Sequence, residues 1–433
     1  MSVSYLTRSV AAATLFCLSN LSVPAFARAE EVVITCTGCE DSKTDIFIAE
    51  AHRMKEAFNA AFKGKYRIEE VPFAGINDMQ QAIPYFKRSA SSDSLPDLFW
   101  TSGYVIADIA KSGRVVEWSE ILNSDPVWRE SFYPDAFLSL SDGEGHKWGI
   151  PSFRDAIGMF WNRELFAKAG LQAYPATWEE LLTACAKLKE AGVTPIAMDG
   201  QWVTLLWWAN LIGTQPTGSE FLKFGILKGD FSTNPVVIEG TERLKKLHTD
   251  GYVNADAFSG DFFSADNQFV TGRAAMLANG PWEISSGIKG KNAVSGLYDK
   301  VGYSAFPGDG LVVVAGTGSW ASGARTPETV EAVTAFMKFM TSKEQQVTKY
   351  KNVGGAWARK LDLSDSELVQ VLDPIYLPVF KQSENAAHIY PYPQFLTPAS
   401  FPEAWTNNWP AYVQDRMTTT AFLERLSQSI TRK

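Results

Sequence analysis

The sequence predicts an α/β protein built from two lobes, and three observations lead to that class. β-rich segments alternate with helical segments from residue 30 onward, which is the pattern of parallel β-α-β units in a doubly wound sheet. The chain has 433 residues, enough for two or three domains, yet no flexible linker divides it. Hydrophobic residues make up 45% and charged residues 20%, so there is ample material for a folded core.

Residues 1–29 have the pattern of a secretory signal peptide and are excluded from the predicted fold. Arg8 supplies the positive charge, residues 10–21 form a short apolar stretch, and Ala-x-Ala cleavage motifs occur at 25–27 and 27–29. The apolar stretch is too short to span a membrane. We therefore expect a cleaved protein that is exported to the periplasm.

Three cysteines remain once this segment is removed. Cys36 and Cys39 have the C-x-x-C spacing of a redox or metal motif, but no second such pair and no nearby pair of histidines accompanies them. An oxidising compartment favours a small structural disulfide between them. Cys185 falls in a helical pattern and is expected to be a buried free thiol.

The elements of the first lobe follow from composition and periodicity. In chain order we predict a strand at 30–38, a helix at 45–64, a strand at 65–73, a helix at 76–90 interrupted by Pro84, a strand at 95–103 and a helix at 105–113. Ligands of such sheets lie beyond the carboxyl ends of the strands. The segments CTGCEDS (36–42) and TSGY (101–104) are therefore expected to face a cleft.

The rest of the chain continues the alternation after a long extended run that ends near Asn162. Thr177 and Glu180 form a predicted capping box at the start of one helix. The predicted elements are helices at 177–192, 201–214, 219–229, 235–253 and 326–346, a strand at 193–199, an extended segment at 301–308 and a helical tail at 402–433. Without a linker, such a chain is expected to form two lobes joined by several crossings.

Charge and motif content exclude several classes of function. The formal net charge is −8 with no long basic run, which argues against nucleic acid as a partner. The four histidines lack metal-ligand spacing, and no G-x-S-x-G or H-E-x-x-H motif occurs. We therefore expect no catalytic site, no metal and no cofactor. The 14 tryptophans suggest that some aromatic surface is exposed.

A series of motifs in fixed order resembles one known family. They are PDLFWTSGY (96–104), WGIPSFRDAIGMFWNRELFAKAG (148–170), PATWEELLTACAKLKEAGVTPIAM (175–198), FVTGRAAMLANGPWEIS (269–285), VGYSAFPG (301–308), TPETVEAVTAFMKFMTS (326–342) and GGAWARK (354–360). In order and spacing the chain resembles the extracellular solute-binding proteins of carbohydrate ABC importers, the maltose-binding-protein-like family. The resemblance covers nearly the whole mature chain.

The resemblance implies a periplasmic binding protein-like fold, with two doubly wound α/β lobes, hinge strands between them and a sugar cleft. It implies a monomer that delivers a mono- or oligosaccharide to permease subunits in the membrane. The implied divisions are an N-terminal lobe at 30–149 and 303–342, and a C-terminal lobe at 150–302 and 343–433.

Two positions carry the strongest expectation of ligand contact. Trp282 follows the Gly-Pro break at 280–281, and the resemblance implies that this ring lines the sugar cleft; the alternative is a core residue at a junction. The resemblance also implies a sugar-contacting polar residue in the extended run after Pro151, so Asp155 is expected to accept hydrogen bonds from ligand hydroxyls. The alternative is a salt bridge between Arg154 and Asp155. Arg154 could also meet an acidic group of the ligand.

The remaining candidates come from both lobes. Ser102 and Tyr104 end a predicted strand, where the alternatives are a helix cap and a surface tyrosine. Glu40 and Asp41 follow the first strand and are either hydroxyl acceptors or acids that favour a helix N-terminus. The resemblance adds small residues that let backbone approach a ligand and further aromatic rings, namely Gly316, Gly318, Gly355, Trp357 and Trp202.

Two other functions remain open at this point. A secreted carbohydrate-active enzyme would need a carboxylate pair such as Asp155 and Glu283. The same fold could also bind a non-sugar solute such as a metal ion or a polyamine. The sequence does not name the sugar.

Overall fold

The computed structural model describes residues 30–43, 46–71, 79–142, 144–315, 318–384, 388–398 and 400–431, together with Met1 and Ala386. For residues 79–83 and 104 only the backbone is described. The predicted signal peptide, apart from Met1, lies outside the described residues.

Strands and helices alternate along the described chain, as the sequence predicts. The strands are β1 Val32–Thr37, β2 Tyr66–Glu70, β3 Leu98–Thr101, β4 Ile150–Pro151, β5 Arg154–Asn162, β6 Thr194–Ala197, β7 Ala274–Asn279, β8 Val301–Ser304, β9 Gly310–Ala315, β10 Ser319–Ala321 and β11 His388–Pro391.

The helices are α1 Ile46–Ala61, α2 Met79–Ser91, α3 Gly103–Ala110, α4 Ser119–Ser124, α5 Pro126–Glu130, α6 Arg163–Lys168, α7 Trp178–Glu190, α8 Trp202–Gly213, α9 Gly218–Glu220, α10 Pro235–Thr249, α11 Phe262–Val270, α12 Leu297–Lys300, α13 Pro327–Met340, α14 Lys343–Val353, α15 Asp365–Val371, α16 Leu377–Ser383, α17 Ser400–Val413 and α18 Thr419–Thr431. Short 3-10 or π turns cover Pro134–Leu140, Phe221–Gly225, Ile226–Lys228, Ile284–Ile288 and Pro393–Phe395.

Two sheets confirm the predicted α/β class. The first sheet has the order β2-β1-β3-β10-β4, with β1 parallel to β2 and β3. The second has the order β11-β9-β5-β7-β6, and β8 also pairs with β5. In the second sheet β5 runs antiparallel to β7 and β9, whereas β6 is parallel to β7 and β11 is parallel to β9. The carboxyl ends of β6, β7, β9 and β11 therefore share one edge.

The sheets fix where the chain passes between the lobes. It leaves the first sheet after β4, enters the second at β5, and returns between β9 and β10. β8 and the apolar strand β9 belong to the second sheet, so the second crossing follows residue 315 and does not lie at 302–303 as predicted. α14 packs against α1, which extends the N-terminal lobe beyond the predicted end at 342.

The cap of α7 and the state of the three cysteines agree with the predictions from the sequence, apart from one hydrogen-bond partner. The side chain of Thr177 caps α7 by accepting from Glu180 N, while the Glu180 carboxylate accepts from Ala176 N at 2.8 Å, one residue before the predicted partner. A disulfide joins Cys36 and Cys39, and Cys185 is a buried free thiol. Among the described residues no helix combines the length and apolar character needed to cross a bilayer.

Candidate functional site

An aromatic cavity lies at the carboxyl edge of the second sheet. Its volume is about 220 Å³. It is lined by Ile157, Trp202, Leu206, Trp282, Val314, Tyr392, Gln394 and Phe395. Most of these side chains are apolar, and Gln394 adds an amide. The cavity thus offers flat rings and few polar groups to a ligand.

The topology explains why rings so distant in sequence meet here. Trp202 begins α8 after β6, Trp282 follows β7, and Tyr392 follows β11. Because these strands are parallel and end at one edge of the sheet, the residues after them converge. Ile157 and Val314, on the antiparallel neighbours β5 and β9, form the floor of the cavity.

The Gly-Pro break before Trp282 makes room for its ring. A Cβ on Gly280 would lie 2.3 Å from the indole Cη2 of Trp282, so only glycine allows the ring to fold back over the chain. On the other side, a Cβ on Gly354 would lie 3.2 Å from the Trp282 Cα, and Gly354 has a φ of +82°. The ring itself is half-buried and lines the cavity. Its contact with a ligand stays a prediction.

Trp202 is held by neighbouring groups on its own lobe. Its ring lies 4.9 Å from that of Phe262, and its carbonyl accepts a 3.0 Å hydrogen bond from the Tyr392 hydroxyl. Tyr392 in turn packs edge-on against Phe395, with ring centroids 5.1 Å apart. Trp202 is thus a half-buried cavity residue with a fixed backbone.

Asp199 fixes the backbone around Trp202. Its Oδ1 accepts from Gln201 N at 2.9 Å and Thr204 N at 3.1 Å, which fixes the start of α8. Its Oδ2 is buried without a hydrogen-bond partner, and burial raises the pKa of Asp199 to about 6.

Four residues around Trp202 escaped the sequence analysis, namely Asp199, Tyr392, Gln394 and Phe395. The run IYPYPQF at 389–395, with aromatic and proline residues in alternation, is the signal that points to Tyr392, Gln394 and Phe395, whereas Asp199 lies outside it. Prolines interrupt both strand and helix patterns, so the run carries no periodicity. Only the pairing of β11 with β9 places it beside Trp202.

Asp155 lies beside the cavity but is fully buried. Its Oδ1 accepts a 2.6 Å hydrogen bond from Ala356 N, and its Oδ2 has no partner. Burial raises the pKa of Asp155, and the same cause lowers the pKa of Lys349, whose Nζ donates to Ser152 O at 2.6 Å. The segment Gly354–Gly355 lies between Trp282 and Asp155. A Cβ on Gly354 would be 3.2 Å from Trp282 Cα, and a Cβ on Gly355 would be 3.6 Å from Asp155 Oδ2.

Arg154 takes a different role from each of those expected. Its guanidinium binds both carboxylate oxygens of Asp135, at 2.6 and 2.8 Å, and lies 4.6 Å from the centre of the Tyr133 ring. Its partner is therefore Asp135, and neither Asp155 nor the cavity. The reason is geometric, since successive residues of β5 point to opposite faces of the sheet.

The expected position of Trp357 in the cleft is also corrected. Trp357 is 1% exposed, and its ring packs against Tyr350 and Phe380 with centroids 6.1 and 5.2 Å away. It is a core residue. Gly318 makes room for an aromatic ring, since a Cβ there would lie 2.2 Å from Cζ2 of Trp100. Gly355, with a φ of +37°, is buried beside Phe153 and Asp155.

The N-terminal lobe places its candidates where parallel strands end. Ser102 follows β3 at the start of α3, and its Oγ is buried without a partner. Glu40 is half-buried with an unpartnered Oε2, and Asp41 is exposed. The side chain of Tyr104 and all of Gly316 lie outside the described residues. Ligand contact by these residues stays a prediction.

Two α/β lobes with an aromatic cavity at the edge of one sheet define the class of two-lobed solute-binding proteins. Residues 49–347 match the family described as bacterial extracellular solute-binding protein. This chain belongs to that family.

Relatives and solved structures agree with this assignment. The sn-glycerol-3-phosphate-binding periplasmic protein UgpB of Rhizobium meliloti is 26% identical over 57% of this chain and 58% of its own length. A probable sugar-binding periplasmic protein of the same species is 27% identical over 51% of this chain and 53% of its own length. The matched part of this chain thus spans little more than half of these relatives.

Solved structures extend the similarity in fold to nearly the whole chain. A chitin oligosaccharide binding protein superposes with a TM-score of 0.72 and 21% identity, covering 92% of this chain and 98% of that one. The GacH receptor of Streptomyces glaucescens GLA.O, whose structures include a complex with acarbose, gives a TM-score of 0.70 at 21% identity, with 92% and 97% coverage.

Proposed function

We propose that this protein is a periplasmic receptor that captures a neutral saccharide or glycoside and delivers it to the permease of an ABC importer. One observation carries the proposal: Trp202, Trp282, Tyr392 and Phe395 line a single cavity. Sugar rings present apolar C–H faces that stack on flat aromatic rings, and an aromatic side chain loses little conformational entropy in doing so.

The charge of the site favours a neutral ligand. No Lys or Arg is among the described residues that line the cavity. The buried cations beside the crossing are already engaged, Arg154 with Asp135 and Lys349 with backbone carbonyls. A phosphate, which the relative UgpB binds as part of sn-glycerol-3-phosphate, would therefore enter this cavity without a cationic partner.

Hydroxyl groups of the ligand would find a donor and an acceptor in the amide of Gln394, which lines the cavity. Asp155 and Asp199 each keep one carboxylate oxygen without a partner, but both are 0% exposed and neither lines the cavity, so contact with a ligand would need them to become accessible. Closure of the N-terminal lobe over the cavity, a hinge motion common to periplasmic binding proteins, would bring Ser102 and Tyr104 toward the ligand. Exclusion of water on closure strengthens each polar contact.

The buried carboxylates argue against a glycosidase. Hydrolysis needs two carboxyl groups that flank the scissile bond. Asp155 and Glu283 are both 0% exposed, and neither lines the cavity. The proposal therefore assigns binding without turnover.

Calorimetry on tryptophan variants tests the proposal after a thermal-shift screen against neutral, acidic and phosphorylated saccharides. We expect a neutral saccharide to bind. Trp282→Ala should raise its Kd roughly 5- to 150-fold, if stacking of a sugar face on the indole is scaled to the value of about 1–3 kcal/mol that an aromatic ring contributes in stacking on a nucleic-acid base. Trp282→Phe keeps a flat ring and should lose less.

Trp178→Ala is the matched control, because Trp178 is also half-buried in the C-terminal lobe but lies outside the cavity. Its Kd should equal that of the wild type. Unchanged affinity in Trp282→Ala, or conversion of the saccharide to products, would refute the proposed function.

A further inference from the structure

Two carboxyl groups meet directly behind the turn that carries Trp282. Glu283 is the next residue in the chain and is 0% exposed. Asp266 reaches the same place from α11. A Cβ on Gly287 would lie 1.6 Å from Glu283 Oε1 and 2.8 Å from Asp266 Oδ1. The two carboxyl oxygens are therefore close neighbours beside Gly287. Both are buried and have no hydrogen-bond donor.

The other Glu283 oxygen belongs to a network that fixes the turn. Asn279 Nδ2 donates to Glu283 Oε2 at 2.7 Å, and Asn279 Oδ1 accepts from Gly280 N at 2.8 Å. The hydroxyl of Tyr303 donates to Asn279 O at 2.8 Å. The backbone on both sides of Trp282 is thereby tied to the Glu283 carboxyl group.

Neighbouring charges do not compensate this pair. Lys289 and Tyr298, on the two segments that follow the turn, both direct their polar atoms to Asp373, at 2.9 and 3.1 Å. Asp261, at the start of α11, accepts from Ser264 N. Two carboxylates that face each other in a buried site do not both ionise, because each charge disfavours the other and burial disfavours both.

We propose that Glu283 and Asp266 share one proton, and that this carboxyl pair positions Trp282 for its ligand. The shared proton supplies the missing hydrogen bond between Glu283 Oε1 and Asp266 Oδ1. Loss of the proton leaves two facing charges, which separate and shift the turn at 279–283. The positioning role rests on the proposed function, whereas the shared proton does not.

The electrostatics agree with this assignment. Burial raises the pKa of Glu283 well above its ordinary range, and Asp266 raises it further. Burial also raises the pKa of Asp266. A bound cation is the alternative occupant. It would find only two carboxylates here, and the described residues contain no cluster of three or more His, Cys, Asp or Glu side chains suited to a metal.

The experiment compares the unfolding equilibrium of wild type and Glu283→Gln from pH 4.5 to pH 9 without ligand. A folded-state pKa above the unfolded value means that stability is lost as pH rises. The wild-type unfolding constant should therefore rise tenfold per pH unit relative to Glu283→Gln until the pair ionises. An amide keeps the shape and donates to Asp266. If the ratio of the wild-type unfolding constant to that of Glu283→Gln did not change with pH, the shared proton would be refuted.

Two controls separate the possible outcomes. Glu239→Gln changes an exposed acid on α10, and its ratio to wild type should stay flat over the same range. Stabilisation of the wild type by CaCl2, reversed by EDTA, would overturn the proton in favour of a cation.

Ligand affinity then tests the positioning role. The Kd of the wild type should rise as the pair ionises, while that of Glu283→Gln stays constant. A pH-dependent stability ratio with no change in the wild-type Kd would overturn positioning and leave the shared proton standing. Failure of every saccharide to bind would refute the proposed function without affecting the stability result.

Discussion

The buried ion pair between Arg154 and Asp135 gives the sharpest test of how the crossing is built. Arg154 lies at the start of β5, and Asp135 lies in the turn Pro134–Leu140. Their side chains are 4% and 19% exposed, and two hydrogen bonds of 2.6 and 2.8 Å join them. The change we consider is Arg154→Met, which keeps an apolar stem and removes the charge.

The expected cost follows from burial and geometry. Removing one partner of a buried ion pair costs about 3–5 kcal/mol, because the other charge is left uncompensated. Asp135 keeps some access to water, so we expect the lower end, about 3 kcal/mol. In the double variant Arg154→Met with Asp135→Asn no charge is stranded, and the two losses should fall short of additivity by about 1–2 kcal/mol.

Urea unfolding at pH 7 measures Arg154→Met, Asp135→Asn and the double variant. Arg243→Met is the control, because Arg243 and Glu239 are 30% and 50% exposed and form an i,i+4 helix pair, which should contribute about 0.3–0.5 kcal/mol. A loss below about 1 kcal/mol for Arg154→Met, or strict additivity, would refute the reasoning. If Arg154→Met kept its stability but lost affinity for an acidic saccharide, Arg154 would be a ligand-binding residue instead.

Four further outcomes follow from described contacts. Trp357→Ala should lower the free energy of unfolding by about 3–5 kcal/mol, measured by urea unfolding, because it empties a core site; a loss below about 1 kcal/mol would contradict its burial. The free energy of unfolding of Asp199→Asn should rise by about 3 kcal/mol relative to that of the wild type between pH 4 and pH 6. The reason is that the raised pKa of Asp199, about 6, makes the wild type lose stability as pH rises through that window. Urea unfolding across the window measures this, and parallel pH profiles for the two proteins would contradict it. Gly280→Val should weaken saccharide binding in calorimetry as much as Trp282→Ala, because its Cβ displaces the indole ring, and unchanged affinity would place the ring elsewhere. Replacing Cys36 and Cys39 by Ser should cost only about 2 kcal/mol in thermal unfolding, since the disulfide closes a very short loop, and a much larger loss would give it another role.

The sequence predicted those parts of the fold that depend on local pattern. Alternating strands and helices place β1 to α3 within a few residues of their predicted bounds. The Gly-Pro break marked Trp282 as a residue at a junction between two elements, and Trp282 lies between β7 and the turn Ile284–Ile288. The spacing of Cys36 and Cys39 predicted their disulfide only together with the expected export to an oxidising compartment and the absence of a second such pair.

What the sequence did not predict depends on partners brought together by the fold. Asp135 is 19 residues from Arg154, and no pattern in that interval identifies it as the partner. Trp357, like Trp282, follows closely after glycine, so the sequence does not separate the two rings. Only the packing of Tyr350 and Phe380 around Trp357 shows that it is a core residue. The cavity likewise needs the order of strands in the second sheet.

The ladder between β5 and β9 constrains any movement of one lobe against the other. Arg154 pairs with Ala315, so the outgoing and returning segments are hydrogen-bonded neighbours at the point where each leaves the second sheet. Because both strands of this ladder belong to the second sheet, it holds the two connecting segments side by side where they pass to the first lobe. Movement of the first lobe therefore has to bend both segments at neighbouring points, which favours rotation about that pair of segments. Substitutions that weaken the ladder should make this rotation less well defined before they unfold either lobe.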